Sequence, residues 1–271
     1  MSIRFPNGAI VPSIGIGTWN VGDDPARRDE EIAAIQVGLD AGLRVVDTAE
    51  MYGSGRSERR VGEAIRGRRD DAFLVSKVLP HHADAAGIRR AAHDSLARLG
   101  TDRLDLYLLH WRGPVPLEET VAAFEDLRDA GDILDWGVSN LDPDDLAELP
   151  AGAATDQILY NPSRRGPELD LLPLLRRRGI PAMAYSPLEQ ARVLGDPVLA
   201  ELASSIGLTV AQLVLAWVIR SGDVLAIPKA GDVAHARDNA AAIDVELPAE
   251  VLSAIDARFP APARPVPLEM L

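Results

Sequence analysis

In VVDTAEMYGSG (45–55), an apolar run ends on Asp47, and a glycine-bounded turn then carries Tyr52. A carboxylate at the end of a buried strand needs a partner that compensates for lost water. Of the 28 basic residues only Lys77 and Lys229 are lysines; the others are arginines. A lysine in such a chain marks a place for a compact ammonium whose pKa burial can shift, where a planar guanidinium does not serve. Lys77 ends the apolar segment FLVSK and is the expected counter-ion of Asp47. A phenol titrates near ~10 in water, and a neighbouring ammonium is expected to lower that value towards the range useful for proton donation. His110 ends LDLYLLH and can orient a reacting oxygen. A tyrosine acid, a lysine that tunes it, an aspartate that holds the lysine and a histidine beside them suit proton donation to a carbonyl under reduction. No nucleophile–base pair points to hydrolysis.

The elements that must position these residues alternate along the chain. Asn7-Gly8 between apolar runs predicts an N-terminal β-hairpin. Strand-like segments then follow: SIGIGTW, LRVVDT, FLVSK, LDLYLLH, WGVSN, DQILYN, IPAMAYS and VLAIPK. Between them lie helical patterns such as DEEIAAIQVGLDAG, with Ile32, Ile35 and Leu39 on one face, and IRRAAHDSLARLG, with Ile88, Leu96 and Leu99 inward. A single longer helical stretch is expected over 198–221, and extra helices at HARDNAAA and PAEVLSAIDARF close the chain. The strands are near-continuous apolar runs, as a parallel sheet buried on both faces requires. Eight βα units without a dividing linker predict an α/β fold, a single (β/α)8 barrel domain over 1–271 with a proline-rich tail at 260–271. The tail either lies over the pocket or is disordered. The alternative, a doubly wound open sheet, calls for a glycine-rich phosphate turn that GIGTWN matches poorly. In a barrel, the strand ends Gly17-Thr18-Trp19, Asp47, Lys77, His110, Ser139-Asn140, Gln157, Tyr185-Ser186 and Lys229 meet at one mouth, where barrel active sites form.

Composition narrows the function. The formal charge of −13 argues against binding nucleic-acid phosphates and against docking on anionic membranes. Cysteine is absent, which excludes disulfides and thiolate metal sites. The longest apolar run, 208–219, is too short to span a bilayer, and the N-terminus lacks a signal-peptide pattern, so a soluble cytoplasmic protein is expected. His81 and His82 are adjacent with no carboxylate at ligand spacing, so they are read as loop residues and no metal is expected.

DTAEMYGSGRSERRVGEAI, LDLYLLHW, WGVSN and AIPKA together resemble the signature segments of the aldo-keto reductases, and the likeness runs from about residue 3 to 258. The resemblance implies a hydride-transfer tetrad of Asp47, Tyr52, Lys77 and His110, and NADPH lying across the barrel mouth. Gly17, Thr18, Trp19 and Asp47 would adjoin the cofactor. Ser139, Asn140 and Gln157 would bind its carboxamide, and Tyr185 would stack on the nicotinamide. Ser186, Pro187 and Leu188 would run beside the pyrophosphate. Ile227, Lys229, Ala230, His235, Asp238 and Asn239 would serve the remainder, with Lys229 at the adenosine phosphate. Trp19, Met51, Tyr52, His110 and Trp111 would form the substrate pocket. Ala230 stands where the family usually has serine, His235 where many members have arginine and Asp238 where glutamate is usual. Glu189 is expected uncomfortably close to the pyrophosphate. HWRGPVPLEET, YNPSRRGPELDLLP and AYSPLEQ look nearest to bacterial reductases of methylglyoxal and other small aldehydes. The implied function is NADPH-dependent reduction of a small-molecule aldehyde or reactive ketone by a monomer. The alternative is a cofactor-binding regulatory protein resembling potassium-channel β subunits; a complete tetrad favours the enzyme.

Overall fold

The computed structural model describes all 271 residues. β1 (Ser2–Arg4) and β2 (Ile10–Pro12) pair antiparallel as the expected hairpin. At its tip Asn7 Oδ1 accepts from the Ala9 N–H at 2.9 Å, and Gly8 adopts a φ of 90° that suits glycine. Eight parallel strands follow: β3 (Ile16–Gly17), β4 (Val45–Asp47), β5 (Phe73–Val78), β6 (Leu106–Leu109), β7 (Trp136–Ser139), β8 (Asp156–Leu159), β9 (Ala182–Tyr185) and β10 (Val224–Ala226). Each pairs with the next in sequence order. Backbone bridges Ile14–Ala226 and Gly17–Lys229 join the first strand region to the last and close the barrel.

The helices around the sheet are α1 (Arg28–Asp40), α2 (Arg56–Ala64), α3 (Ala85–Leu99), α4 (Leu117–Ala130), α5 (Pro143–Glu148), α6 (Leu171–Arg178), α7 (Pro197–Ser205), α8 (Val210–Ile219), α9 (Val233–Ala241) and α10 (Ala249–Arg258). One expectation fails. The stretch over 198–221 is two helices, α7 and α8, set at 88° to each other. Thr209 starts α8 with a capping box: its hydroxyl accepts from the Gln212 N–H at 3.1 Å, and the Gln212 side chain accepts from the Thr209 N–H at 3.2 Å. Apolar residues continue across the break and hide it from the pattern. No single helix is long and apolar enough to cross a membrane.

The strands alternate their side chains between two cores. Val45, Phe73, Val75, Leu106, Leu108, Met183 and Leu225 fill the barrel together with Ile3, Phe5 and Val11 of the hairpin region. Phe5 stacks on Phe73 with ring centroids 5.2 Å apart, so the hairpin plugs the barrel floor. Val46, Leu74, Tyr107 and Leu109 face the helices in a separate, larger cluster. The two-residue period of a strand then settles where the polar ends point. Asp47, Lys77 and His110 each lie two residues beyond an inward-facing apolar residue, and so they face the barrel interior at its mouth.

Candidate active site

Lys77 is fully buried and Asp47 is 2% exposed. The ammonium donates to both Asp47 oxygens, at 2.8 and 2.7 Å, and to the Thr48 carbonyl at 2.8 Å. Tyr52 comes from a 3-10 turn after β4 (Tyr52–Gly55), and its hydroxyl lies 3.3 Å from Lys77 Nζ. Because the ammonium can only donate, the phenol accepts there and keeps its own O–H for the cavity. The Gln157 side-chain amide also donates to Asp47 Oδ1, at 2.8 Å. The sequence does not signal that contact; it uses one of the two amide N–H groups and leaves the other N–H and the amide oxygen of Gln157, which lines the cavity, for the expected cofactor carboxamide.

Thr18 is fully buried, and its hydroxyl donates to the Asp47 carbonyl at 2.8 Å. Ser57, at the start of α2, donates in turn to the Thr18 hydroxyl at 2.7 Å. These hydroxyls tie the ends of β3 and β4 together and fix Asp47 from behind. Gly17 allows the strands to approach here, since a Cβ on it would stand 2.6 Å from the Ile227 carbonyl oxygen.

Burial works against both charges of the pair, raising the Asp47 pKa and lowering that of Lys77, and their mutual contact offsets part of each effect. The expectation for Tyr52 is reversed. Burial first, and then the charge of Asp47, push the phenol well above its ordinary value. It is therefore protonated at neutral pH, the form a donor must have. His110 is pushed down to about 3, first by burial and then by the charge of Lys77, so the imidazole is neutral. Its Nδ1 is buried without a hydrogen-bond partner. Its ring meets Tyr52 edge-on at 5.8 Å and Trp111 at 4.9 Å.

A cavity of about 760 Å³ opens above this group. Trp19, Met51, Tyr52, His110 and Trp111 line it, as do Ser139, Asn140, Tyr185, Ser186, Pro187 and Leu188. Gly17, Thr18, Asp47, Gln157 and Ile227 form further parts of its wall, and Lys229, His235, Asp238 and Asn239 extend it towards α9. Ala230 is the exception: it is 2% exposed and turns under the loop, because its neighbour Lys229 takes the outward direction. Ser139 donates to the Gln157 carbonyl at 2.8 Å. The Asn140 amide donates to the His110 carbonyl, and its oxygen accepts from the Tyr185 hydroxyl at 2.9 Å. His235 Nδ1 lies 2.6 Å from Asp232 Oδ2, and Asp238 is bonded to Thr209 and Gln212 of the α8 cap.

Glu189 departs most from expectation. It is 3% exposed and turned inward, where it accepts from Asn161 at 2.7 Å, Arg164 at 2.9 Å and Arg192 at 2.7 Å. Its charge is neutralised within the protein. The anchoring holds a strained segment: Ser186, Glu189, Gln190 and Ala191 all have φ between 46° and 70°. Gln190, Ala191 and Leu194 of this segment line the cavity and went unnoticed in the sequence, as did Asn20 and Ala211. The proline-rich tail is placed over the mouth, where Met270 and Leu271 complete the lining, and Arg164 also holds Glu269 at 2.5 Å. Outside the cavity, Asp156 is fully buried on the outer face of β8 with no charged or side-chain partner, and burial pushes its pKa well above the ordinary value, offset only in part by the nearby Leu141 N–H.

The sequence profile described as "Aldo/keto reductase family" matches residues 13–258. The chain is 46% identical to the methylglyoxal reductase YeaE of Escherichia coli (strain K12), with 99% of this chain and 98% of that protein covered. It is 32% identical to a glyoxal reductase of Bacillus subtilis (strain 168), with 94% and 92% covered. A crystal structure of an aldo/keto reductase from Klebsiella pneumoniae in complex with NADP and acetate matches with a TM-score of 0.97 at 49% identity, covering 100% of this chain and 99% of that one. With the family profile spanning the barrel and relatives of this similarity matching it end to end, the chain belongs to the aldo/keto reductase family.

Proposed function

We propose that this protein reduces small aldehydes and reactive ketones, methylglyoxal among them, to alcohols with NADPH, and that Tyr52 is the proton donor. The observation that carries the reading is the Tyr52 hydroxyl held at 3.3 Å by a fully buried Lys77, which is itself locked on Asp47. The Escherichia coli relative is a methylglyoxal reductase and the Klebsiella structure contains NADP, which supports both halves of the reading. The cavity suits a dinucleotide phosphate: Lys229 stands exposed in its wall without a carboxylate partner, and Glu189 has its charge neutralised elsewhere. Ser139, Asn140, Tyr185 and the 186–188 segment would hold the cofactor, and Lys229 its terminal phosphate. When bound, NADPH supplies the hydride that the carbonyl carbon accepts.

The protein's own groups do the rest. His110, neutral at any physiological pH, donates a hydrogen bond to the carbonyl oxygen and orients it. Tyr52 gives that oxygen its proton. The phenolate left behind is stabilised by the ammonium of Lys77, a contact that strengthens as negative charge develops on the phenol. Asp47 keeps the ammonium in place, and Gln157 and Thr18 keep Asp47 in place. Trp19, Met51 and Trp111, with the tail, limit the space left to water beside the substrate. Tyr52 regains its proton from solvent when the alcohol leaves.

We further propose that the enzyme works as a monomer in the cytoplasm; its net charge of −13 works against self-association. The regulatory alternative is not favoured: all four reacting groups are present and in contact range. Loss of NADPH absorbance on adding methylglyoxal tests the proposal. No turnover across a panel of small aldehydes, with cofactor bound, would overturn it.

A further inference from the structure

Arg27 ends a 3-10 turn (Pro25–Arg27) that leads into α1. Its guanidinium crosses to the loop between β10 and α9, where Nη2 donates to the Gly231 carbonyl at 2.9 Å. Gly231 has no side chain, and a Cβ built there would stand 3.5 Å from Arg27 Nη2 and 3.7 Å from Lys229 Cε. Two cations from distant parts of the chain therefore flank one residue. The only carboxylate that Arg27 pairs with is the half-exposed Glu30, at 3.0 Å through Nε. The Nη1 edge of the guanidinium makes no hydrogen bond within the protein.

The loop itself is short of groups for a phosphate. Ala230 is buried and has no hydroxyl. Asp232 caps α9 by accepting from the His235 N–H at 2.9 Å, and its other oxygen holds His235 Nδ1 at 2.6 Å. That carboxylate opposes an anion and occupies His235, so of the basic side chains lining this end of the cavity only Lys229 is without a carboxylate partner. We propose that Arg27 is the second cation: with Lys229 it holds the adenosine 2′-phosphate and makes this chain select NADPH over NADH. A guanidinium suits the task, because its free N–H groups match phosphate oxygens while Nη2 stays on the Gly231 carbonyl. The proposal rests on the reading of the cofactor as NADPH.

Calorimetric titration of NADP+ and NAD+, without carbonyl substrate, tests it in the wild type, Arg27→Gln, Arg27→Lys and Lys229→Met. Arg27→Gln removes the charge together with the reach to the Gly231 carbonyl, and Arg27→Lys is the control that keeps a charged donor of nearly the original length. Arg27→Gln is expected to weaken NADP+ binding about tenfold and to change NAD+ binding by less than about twofold. The loss shrinks in high salt, where exposed charges are screened. Arg27→Lys retains most of the affinity for NADP+. The proposal is overturned if Arg27→Gln binds NADP+ like the wild type. It is equally overturned if both cofactors weaken together, since Arg27 would then only dock the turn. A wild type that binds NAD+ as tightly as NADP+ removes the NADPH reading itself. A loss in Lys229→Met but not in Arg27→Gln leaves that reading standing and removes only the role of Arg27.

Discussion

Replacing Lys77 with methionine separates what the buried pair does for stability from what it does for the reaction. In the wild type Asp47 accepts from Lys77 at 2.8 and 2.7 Å and from Gln157 at 2.8 Å. In Lys77→Met only the Gln157 bond remains, and a carboxylate that is 2% exposed loses its counter-ion. Orphaning a buried charge in this way costs about 3–5 kcal/mol. The cavity above lets water approach, so the lower end, about 3 kcal/mol, is expected. For a chain of this size each kcal/mol moves Tm by about 2 °C, giving a fall of roughly 6 °C. The loss shrinks as pH falls towards the raised pKa of the orphaned carboxylate, because only its ionised form is penalised. Asp47→Asn costs less, since the amide oxygen still accepts from the ammonium and burial already favours the neutral amine. The double variant removes both charges and is expected within about 1 kcal/mol of the wild type. Turnover falls in all three: Lys77→Met and the double variant have no ammonium beside Tyr52, and in Asp47→Asn the lysine loses the negative charge that favours its ionised form against burial. The assay is thermal unfolding at pH 7, together with kcat for methylglyoxal. A double variant that melts as low as Lys77→Met, or that regains turnover with its stability, refutes the reasoning.

Tyr52→Phe is expected to lower kcat by at least about a hundredfold and to leave cofactor affinity nearly unchanged; near-normal turnover on several aldehydes contradicts the donor role. Lys77→Arg does not rescue Lys77→Met, because the fork of a guanidinium does not fit between Asp47 and Tyr52; steady-state rates decide this. Asp156 has a raised pKa in the folded state, so the stability it gives is complete below the ordinary carboxylate value and is lost, at about 1.4 kcal/mol per pH unit, as pH rises towards the folded value. Asp156→Asn therefore raises Tm more at pH 8 than at pH 5, and equal gains at both would exclude the account. Truncation after Leu268 removes two partly exposed lining residues, Met270 and Leu271, and should raise KM for the carbonyl roughly threefold with a smaller effect on kcat; an unchanged KM would show that the tail is not part of the pocket.

The barrel and its polar strand ends were legible because both follow from local pattern. The two-residue period of a strand turns Asp47 and Lys77 inward at the C-terminal ends of neighbouring parallel strands, where the register pairs Asp47 with Val75 and leaves Lys77 two residues further along, within reach of the carboxylate through its long side chain. The features that were missed depend on contacts between distant residues. Gln157 reaches Asp47 across 110 positions, and nothing around DQILYN marks it as a carboxylate ligand. Glu189 looked like a charge near a phosphate; it lies inward because Arg164 and Arg192 are there to receive it. The direction of the Tyr52 pKa is not legible because a sequence displays the neighbouring ammonium and hides the depth of burial, which here is the largest effect. The bend between α7 and α8 was written in the sequence as Thr209 and Gln212, three apart, but an unbroken apolar pattern outweighed it.

The hairpin plug has a consequence for how this protein can be altered. Ile3, Phe5 and Val11 pack into the barrel floor, and none of them lines the cavity. Enzymes often trade stability against activity, because the residues that would tighten the fold are those that must stay strained or polar. Here the two demands are separated in space. Repacking around Phe5 and Phe73, or shortening the turn at Asn7-Gly8, can raise the melting point while Tyr52 and Lys77 keep their places. The reserve gained at the floor would let the mouth accept destabilising changes, such as new residues at Trp19, Met51 or the tail, and that is the route by which such a barrel can acquire new substrates.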